Sequence, residues 1–534
     1  MVTHDLLRFP LGLAAFIPAV LFLSAAFVTR KAPFRAASFV TVLTVEVSFF
    51  AVLLNALISW RAPELDPNAW PVMRGLVKLD LVSSCMLVLV STLAVVVVRY
   101  SQVYLAGEGG LVRYARSLLI TLASVTLLVI SNHLGLLIAG WVATAIGLHQ
   151  LLTFYSKRRQ AIIVAHKKFL LGQIATMCLI ASLWFVETEI GSMHIDTINT
   201  FARTHEELPF YLHVALVLLV LGVLLKTAQL PFHGWLLQVM EAPTPVSALL
   251  HAGVVNIGGF VMIRLSPLMA RSSAAQWILL LVGLFTAVIG STIMTTRPSV
   301  KVGLAWSTIA QMGFMLVQCG LGVWHLALLH LLAHSLYKAH AFLSSGTVVE
   351  TWRGISVVRA SPPKMGKMVA AMLIVGALAV PLWLAFHYSP LHSSASLATF
   401  SLALALSFVP MIGKALSGGL RSFVLALGFT IGAATAYFAL HALFEEIAPA
   451  MDDGAATSTL KWATVVIGLL VLFVAQTVLQ TSPNGRLARF LRPHLNSGLY
   501  IDDWFTRLTF RLWPPKLERA ASVSRRSSVT LEAR

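Results

Sequence analysis

His330, His334 and Lys338 stand four residues apart in the stretch HLLAHSLYKAH. On a helix that spacing stacks them along one face, each about one turn from the next. Titratable groups so arranged can hand a proton along the face with water between them. Each histidine, taken singly, also reads as a packing residue. The His330/His334 pair would suit a metal ion too, but no acidic residue lies between them as in a HExxH site. Lys338 and Lys226 lie deep in apolar runs, where a lysine costs at least about 2.5–3.5 kcal/mol on insertion scales. Snorkelling or a packing role accounts for a lone lysine; a relay accounts for a lysine beside histidines.

Lys226 is followed by Pro231 within the same apolar run. Helices interrupted by Pro or Gly are where transporters hold ions, because the break exposes backbone dipoles. Gly413–Lys414, with Gly418–Gly419 beyond, is a second candidate break, and also reads as an ordinary helix end. In EAPTPVSALLH, Pro243 and Pro245 start a helix that carries His251 a little over one turn into its span. His251 then approaches Lys226 if the two segments fold together. Glu241 either faces the same cavity or caps that helix. Glu46, in TVLTVEVSFF, is a lone acid in an apolar run and needs either a partner or a proton.

The elements that position these groups follow from composition. Of 534 residues, 58% are hydrophobic and only 11% charged, against about 25% charged in soluble domains. About fifteen apolar runs, each long enough to cross a hydrocarbon core, recur along the chain. The chain reads as an all-α polytopic membrane protein, since backbone groups in lipid must satisfy one another and no alternating barrel pattern is present. The first run follows His4, Asp5 and Arg8 without a clear cleavage site and reads as a span. Residues 1–481 form the transmembrane region and 482–534 a tail. In that tail, GLYIDDWFTRLTFRLWPP mixes aromatic and charged residues as an interfacial or partner-docking helix does, and SVSRRSSVTLEAR reads as disordered.

The net charge of +18 is a matter of topology. Basic residues concentrate in alternate connections: Arg30/Lys31/Arg35, Arg99/Arg113/Arg116, Lys157/Arg158/Arg159/Lys167/Lys168, Arg297/Lys301, Arg353/Arg359/Lys364/Lys367 and Lys414/Arg421. The intervening connections are poor in Lys and Arg. This is the positive-inside pattern, with the N-terminus outside a bacterial inner membrane and the C-terminus in the cytoplasm. Nucleic-acid binding is the weaker reading. Cys85, Cys178 and Cys319 occur singly, with no iron–sulfur or disulfide spacing. No P-loop or dinucleotide fingerprint occurs, so an ion gradient is the expected source of work, with no cofactor in this chain.

LKTAQLPFHGWLLQVMEAPTPVSALLHAG (residues 225–253), AWSTIAQMGFM (305–315) and HLLAHSLYKAHAFLSSGTV (330–348) closely resemble the antiporter-like membrane subunits of respiratory complex I and Mrp cation/proton antiporters. The resemblance implies two inverted five-helix bundles, each with a broken helix, and proton-relay roles for Lys226, His251, His330, His334 and Lys338. That family places a glutamate after a tryptophan in the fifth span to pair with the broken-helix lysine. Here the pair is Trp141–Val142, so Lys226 needs another partner such as Glu46, Asp80 or His149. Residues 79–108, GLHQLLTFY (147–155), HAGVVNIGGF (251–260) and residues 498–514 look like the DabB family, membrane subunits of inorganic carbon pumps. That resemblance implies a large DabA-like zinc partner that hydrates CO2, with the zinc in the partner, and coupling to protons or sodium ions in this chain. Glu241 and Lys414 remain further relay candidates.

Overall fold

The computed structural model describes residues 14–28, 33–61, 75–155, 158–346, 364–387, 395–447 and 458–512. The apolar runs become helices in the expected order. The first six are α1 Ile17–Phe27, α2 Phe34–Arg61, α3 Leu81–Tyr104, α4 Leu111–Ile130, α5 Leu134–Leu152 and α6 Arg159–Ile190. A polar-faced helix, α7 Ile195–Thr204, precedes α8 Phe210–Lys226 and the short α9 Gly234–Leu237. The eighth run is split into α10 Thr244–Ala252 and α11 Ile257–Arg264, and α12 Ser266–Ala270 follows. Next come α13 Ser273–Met294, α14 Val300–Gly320 and α15 Trp324–Leu343. The last spans are α16 Met365–His387, α17 Ala395–Ala415, α18 Leu420–Ile447 and α19 Thr459–Thr481, ahead of the tail helices α20 Arg486–Asn496 and α21 Ile501–Leu512. Among the described residues there is no strand; two isolated bridges, Val77 to Ser131 and His133 to His194, tie connections together at one face.

Among the described residues eleven helices are long and apolar enough to cross a bilayer, and Ala14–Phe27, Phe210–Lys226 and Met365–Pro381 are shorter apolar stretches. The twenty-residue α15 completes the set of fifteen; its histidines and Lys338 lower its hydropathy. Small residues let α13 and α14 approach closely. A Cβ on Gly283 would meet the Gly313 carbonyl oxygen at 2.6 Å, and one on Gly313 would meet that of Gly283 at the same distance. In lipid, where apolar burial gives no drive for helices to associate, such close van der Waals contact holds them together. Leu23, Phe27, Trp184, Leu373, Leu420 and Phe429 point outward, as a lipid-facing surface requires.

Several basic residues assigned to connections from the sequence lie inside helices. Arg99 falls in the last third of α3, and Lys167 and Lys168 fall two turns into α6. The helix starts earlier than the apolar run because Ala161–Ala165 extends it before the two lysines interrupt the pattern. The tail also folds back: α21 packs on α9, and α20 on α13. The final stretch SVSRRSSVTLEAR lies outside the described residues.

Candidate functional site: two buried lysine clusters

Lys226 is the last residue of α8, at the point where the helix stops inside the bundle. Its Nζ lies 5.0 Å from the ring centroid of Trp141 on α5. An ammonium over an indole face is held by the ring quadrupole, which is worth about 2 kcal/mol when desolvated. The backbone beyond is irregular to His233, and Ala228 adopts a left-handed φ of 55°. Its polar groups find partners: Leu230 N–H donates to Thr286 Oγ1 on α13 at 3.2 Å, and the Gln229 amide donates to the Thr227 carbonyl at 3.0 Å. Non-helical backbone survives at membrane depth only on such terms.

Lys168 joins this cluster from α6. Its Nζ lies 3.5 Å from the Ala145 carbonyl oxygen and within electrostatic reach of Lys226 and His149. Trp141, Ala145 and His149 are four residues apart, so one face of α5 carries the contacts of both lysines. None of the three substitute partners expected for Lys226 takes that place. Glu46 on α2 binds the Arg99 guanidinium at 2.6 Å. Asp80 binds Arg264 at 2.5 Å, and His149 has Lys168 within electrostatic reach. Val142 beside Trp141 offers no acceptor. Lys167, the residue before Lys168 on α6, is fully buried and meets Asp502 of α21 at 2.6 Å and Thr506 Oγ1 at 2.7 Å.

The second cluster surrounds Lys338. It is fully buried in unbroken α15 and donates to Ser307 Oγ at 2.6 Å and to the Leu304 carbonyl at 3.2 Å, both on α14. His334, one turn earlier, lies within electrostatic reach of His251, His330 and Lys338. The rings of His330 and His334 lie 5.9 Å apart. His251 stacks on Phe342 with ring centroids 4.4 Å apart. It therefore joins α15 and Lys338, rather than Lys226 as expected from the sequence, because α10 packs on α15 and α3. Asn256, in the break between α10 and α11, ties the arrangement by donating to Ser335 Oγ at 2.6 Å. Among the described residues no third His, Cys, Asp or Glu joins His330 and His334 as a metal group. Beside these histidines a cavity of about 860 Å³ opens between α13–α15 and α17–α19, lined also by Tyr337, Gln311, Gln318 and Tyr437.

The remaining candidates do not join either cluster. α17 continues through Pro410 to its last turn, where Lys414 is exposed, so no second break forms at Gly413–Lys414. The Glu241 side chain lies outside the described residues. Asp80 caps α3, accepting from Ser83 N–H at 3.0 Å. Burial alone would raise its carboxyl, but Arg264, the Ser83 N–H and Lys78 outweigh that and hold it below the usual carboxylate value.

Sequence reasoning missed several buried groups. Arg264, one residue before the end of its run, is only 4% exposed, and Lys461, one residue before its run, is 5% exposed and hydrogen-bonded to Gln276. His233 is buried in the break with its Nε2 unpartnered. The apolar stretch 161–165 before Lys167 was a signal that α6 begins earlier; Asp502 gave none.

This architecture has counterparts in known proteins. A chain of Hydrogenovibrio crunogenus named "Probable inorganic carbon transporter subunit DabB" is 38% identical over 505 residues, covering 94% of each chain. The chain belongs to the DabB family. A second member, DabB2 of Halothiobacillus neapolitanus, is 38% identical over 492 residues, covering 89% of each. Residues 131–388 match the family described as NADH:quinone oxidoreductase/Mrp antiporter, TM, which contains both lysine clusters. The Mrp complex of Dietzia sp. DQ12-45-1b shares the fold, with a TM-score of 0.60 and 21% identity. That match covers 97% of this chain and 61% of the Mrp chain. The protein is thus a multi-pass membrane member of a transport family with the antiporter-like fold.

Proposed function

We propose that the chain is the energy-coupling subunit of an inorganic carbon transporter, passing protons or cations through its two lysine clusters to drive CO2 hydration or uptake. The observation that carries this reading is the fully buried Lys338, with His334 and His330 at one-turn intervals before it and a cavity beside them. Charges kept at such depth in a membrane protein mark ion pathways. The DabB relatives match nearly the whole chain, which favours carbon transport over a quinone-linked role. A chloroplast NAD(P)H-quinone oxidoreductase subunit 5 from Zygnema circumcarinatum, 35% identical, matches only 51% of it.

The catalytic zinc belongs in this scheme to a large DabA-like partner, and this chain works in the inner membrane with its basic connections and tail in the cytoplasm. Chain purified in mild detergent brings down one large zinc-containing protein. In cells expressing that complex, labelled bicarbonate or CO2 accumulates at ambient CO2 and collapses with a protonophore. Lys338→Ala and His334→Ala abolish accumulation while insertion and partner binding persist. A lone active species, or normal accumulation by both variants, overturns the reading.

A further inference from the structure

Beside the Lys168 and Lys226 pair, α6 carries a third amine at Lys167, and α5 supplies no acid to any of the three. The carboxylate that reaches the cluster comes from the other end of the chain. Asp502 Oδ1 binds Lys167 at 2.6 Å, and its Oδ2 accepts from the Gln238 amide at 2.8 Å. Lys167 also donates to Thr506 Oγ1 at 2.7 Å, and Thr506 donates in turn to the Asp502 carbonyl at 2.7 Å. Lys167 is fully buried, while the Asp502 side chain keeps 21% of its surface exposed. The carboxylate therefore bridges water and the buried amine.

The approach is built into both partners. A Cβ on Gly234 would overlap the Asp502 carboxylate, so the glycine at the start of α9 is what lets the acid close on the break. Phe232 in the break stacks edge-on against Phe505, with centroids 5.5 Å apart. Arg297 donates to the main chain of Leu495 and Asn496 and lies 5.4 Å over the Trp306 ring, pinning the end of α20. Trp306 packs in turn against His233, with centroids 4.8 Å apart. The groups facing Asp502 are thus Lys167, Gln238 and Thr506, with His233 within electrostatic reach.

We propose that Asp502 is a relay residue of the Lys226 cluster, the carboxylate through which protons pass between water and the buried lysines. The inference rests on the ion-conducting reading above. In one turn of the relay, Asp502 takes a proton from water and passes it to Lys167 as Lys167 releases one to neutral Lys168. Lys168 passes a proton on to Lys226, which releases one onward. Each group returns to its starting state, and one proton has moved down its gradient. The tail is then part of the pathway, and it supplies an acid to lysines that have none on α5.

The test uses the intact complex in cells, reading proton-coupled carbon accumulation at matched expression. Asp502→Asn lowers accumulation about a hundredfold or more, within the range positioned proton-transfer groups command. Asp502→Glu keeps most of the activity. Asp502→Ala recovers in part with millimolar azide, a small weak acid that can reach the vacated site from water. Wild-type accumulation by Asp502→Asn, with Lys338→Ala inactive, overturns this inference and leaves the ion-conducting reading standing. If both variants are active, the ion-conducting reading itself fails. A loss in Asp502→Ala that neither glutamate nor azide repairs assigns Asp502 a purely structural role in docking α21. Oxidative crosslinking of a Phe232→Cys/Phe505→Cys pair, in a background lacking the three native cysteines, reports whether the tail has stayed in place.

Discussion

The two clusters solve one problem, a lysine inside a membrane bundle without a carboxylate beside it, in different ways. Lys226 ends a helix and faces an indole ring, with a second lysine nearby and irregular backbone following. Lys338 sits inside an uninterrupted helix, clasped by a hydroxyl and a carbonyl, with histidines one and two turns away. A ring face constrains distance but hardly direction, and a broken helix tolerates movement. Two hydrogen bonds from a rigid helix fix both distance and direction. The first arrangement suits a group that moves to change partners; the second suits one that passes protons along a preset line.

Arginine at each lysine separates the two most strongly. Lys226→Arg keeps the charge but cannot release a proton at working pH; it inserts normally and accumulates no carbon. Full accumulation would mean that a fixed positive charge suffices there, and the relay role of Lys226 would be abandoned. Lys338→Arg fails more broadly, because the fully buried space between Leu304 and Ser307 does not admit a guanidinium; it also lowers the yield of folded protein, read by detergent melting. A smaller effect follows from Ser307→Ala. Losing a hydrogen bond to a charged group costs about 1.5–3 kcal/mol, so transport falls roughly ten- to a hundredfold, measured as initial uptake rate. Equal rates for Ser307→Ala and wild type would remove the preset line from the comparison.

Substitution of Trp141 comes next. Trp141→Leu forfeits an interaction of about 0.5–2 kcal/mol and slows uptake several-fold, with Trp141→Phe between the two. Val142→Glu tests the same spot from the other side. A carboxylate beside Lys226 favours the charged amine, so uptake drops while insertion holds; faster uptake would show that the missing acid is a defect. The smallest effect is at Asp80, far from either lysine. Its carboxyl is held below the usual value mainly by Arg264, so it stabilises the fold in full above the ordinary carboxylate range. That contribution fades as pH falls through the lowered folded value. Asp80→Asn accordingly flattens the acid limb of the melting profile and leaves the neutral limb lower than wild type. An unchanged acid limb would deny Asp80 that part.

Periodicity made much of this legible. An apolar run of about twenty residues must be a helix in lipid, so all fifteen spans could be placed, and four-residue spacing put His330, His334 and Lys338 on one face before any contact was known. Lys226 followed by Pro231 marked the broken helix for the same local reason. The tertiary structure alone decided which charges are buried and with whom. Lys167, Arg264 and Lys461 lie near the ends of apolar runs, where a hydropathy pattern cannot tell a loop from the first turns of a span. Glu46 met Arg99, His251 turned to α15, and Asp502 crossed 335 residues of sequence to reach Lys167. A single chain's pattern records neighbours along one helix; a buried ion pair depends on which helices pack together, and that is settled only when the bundle closes.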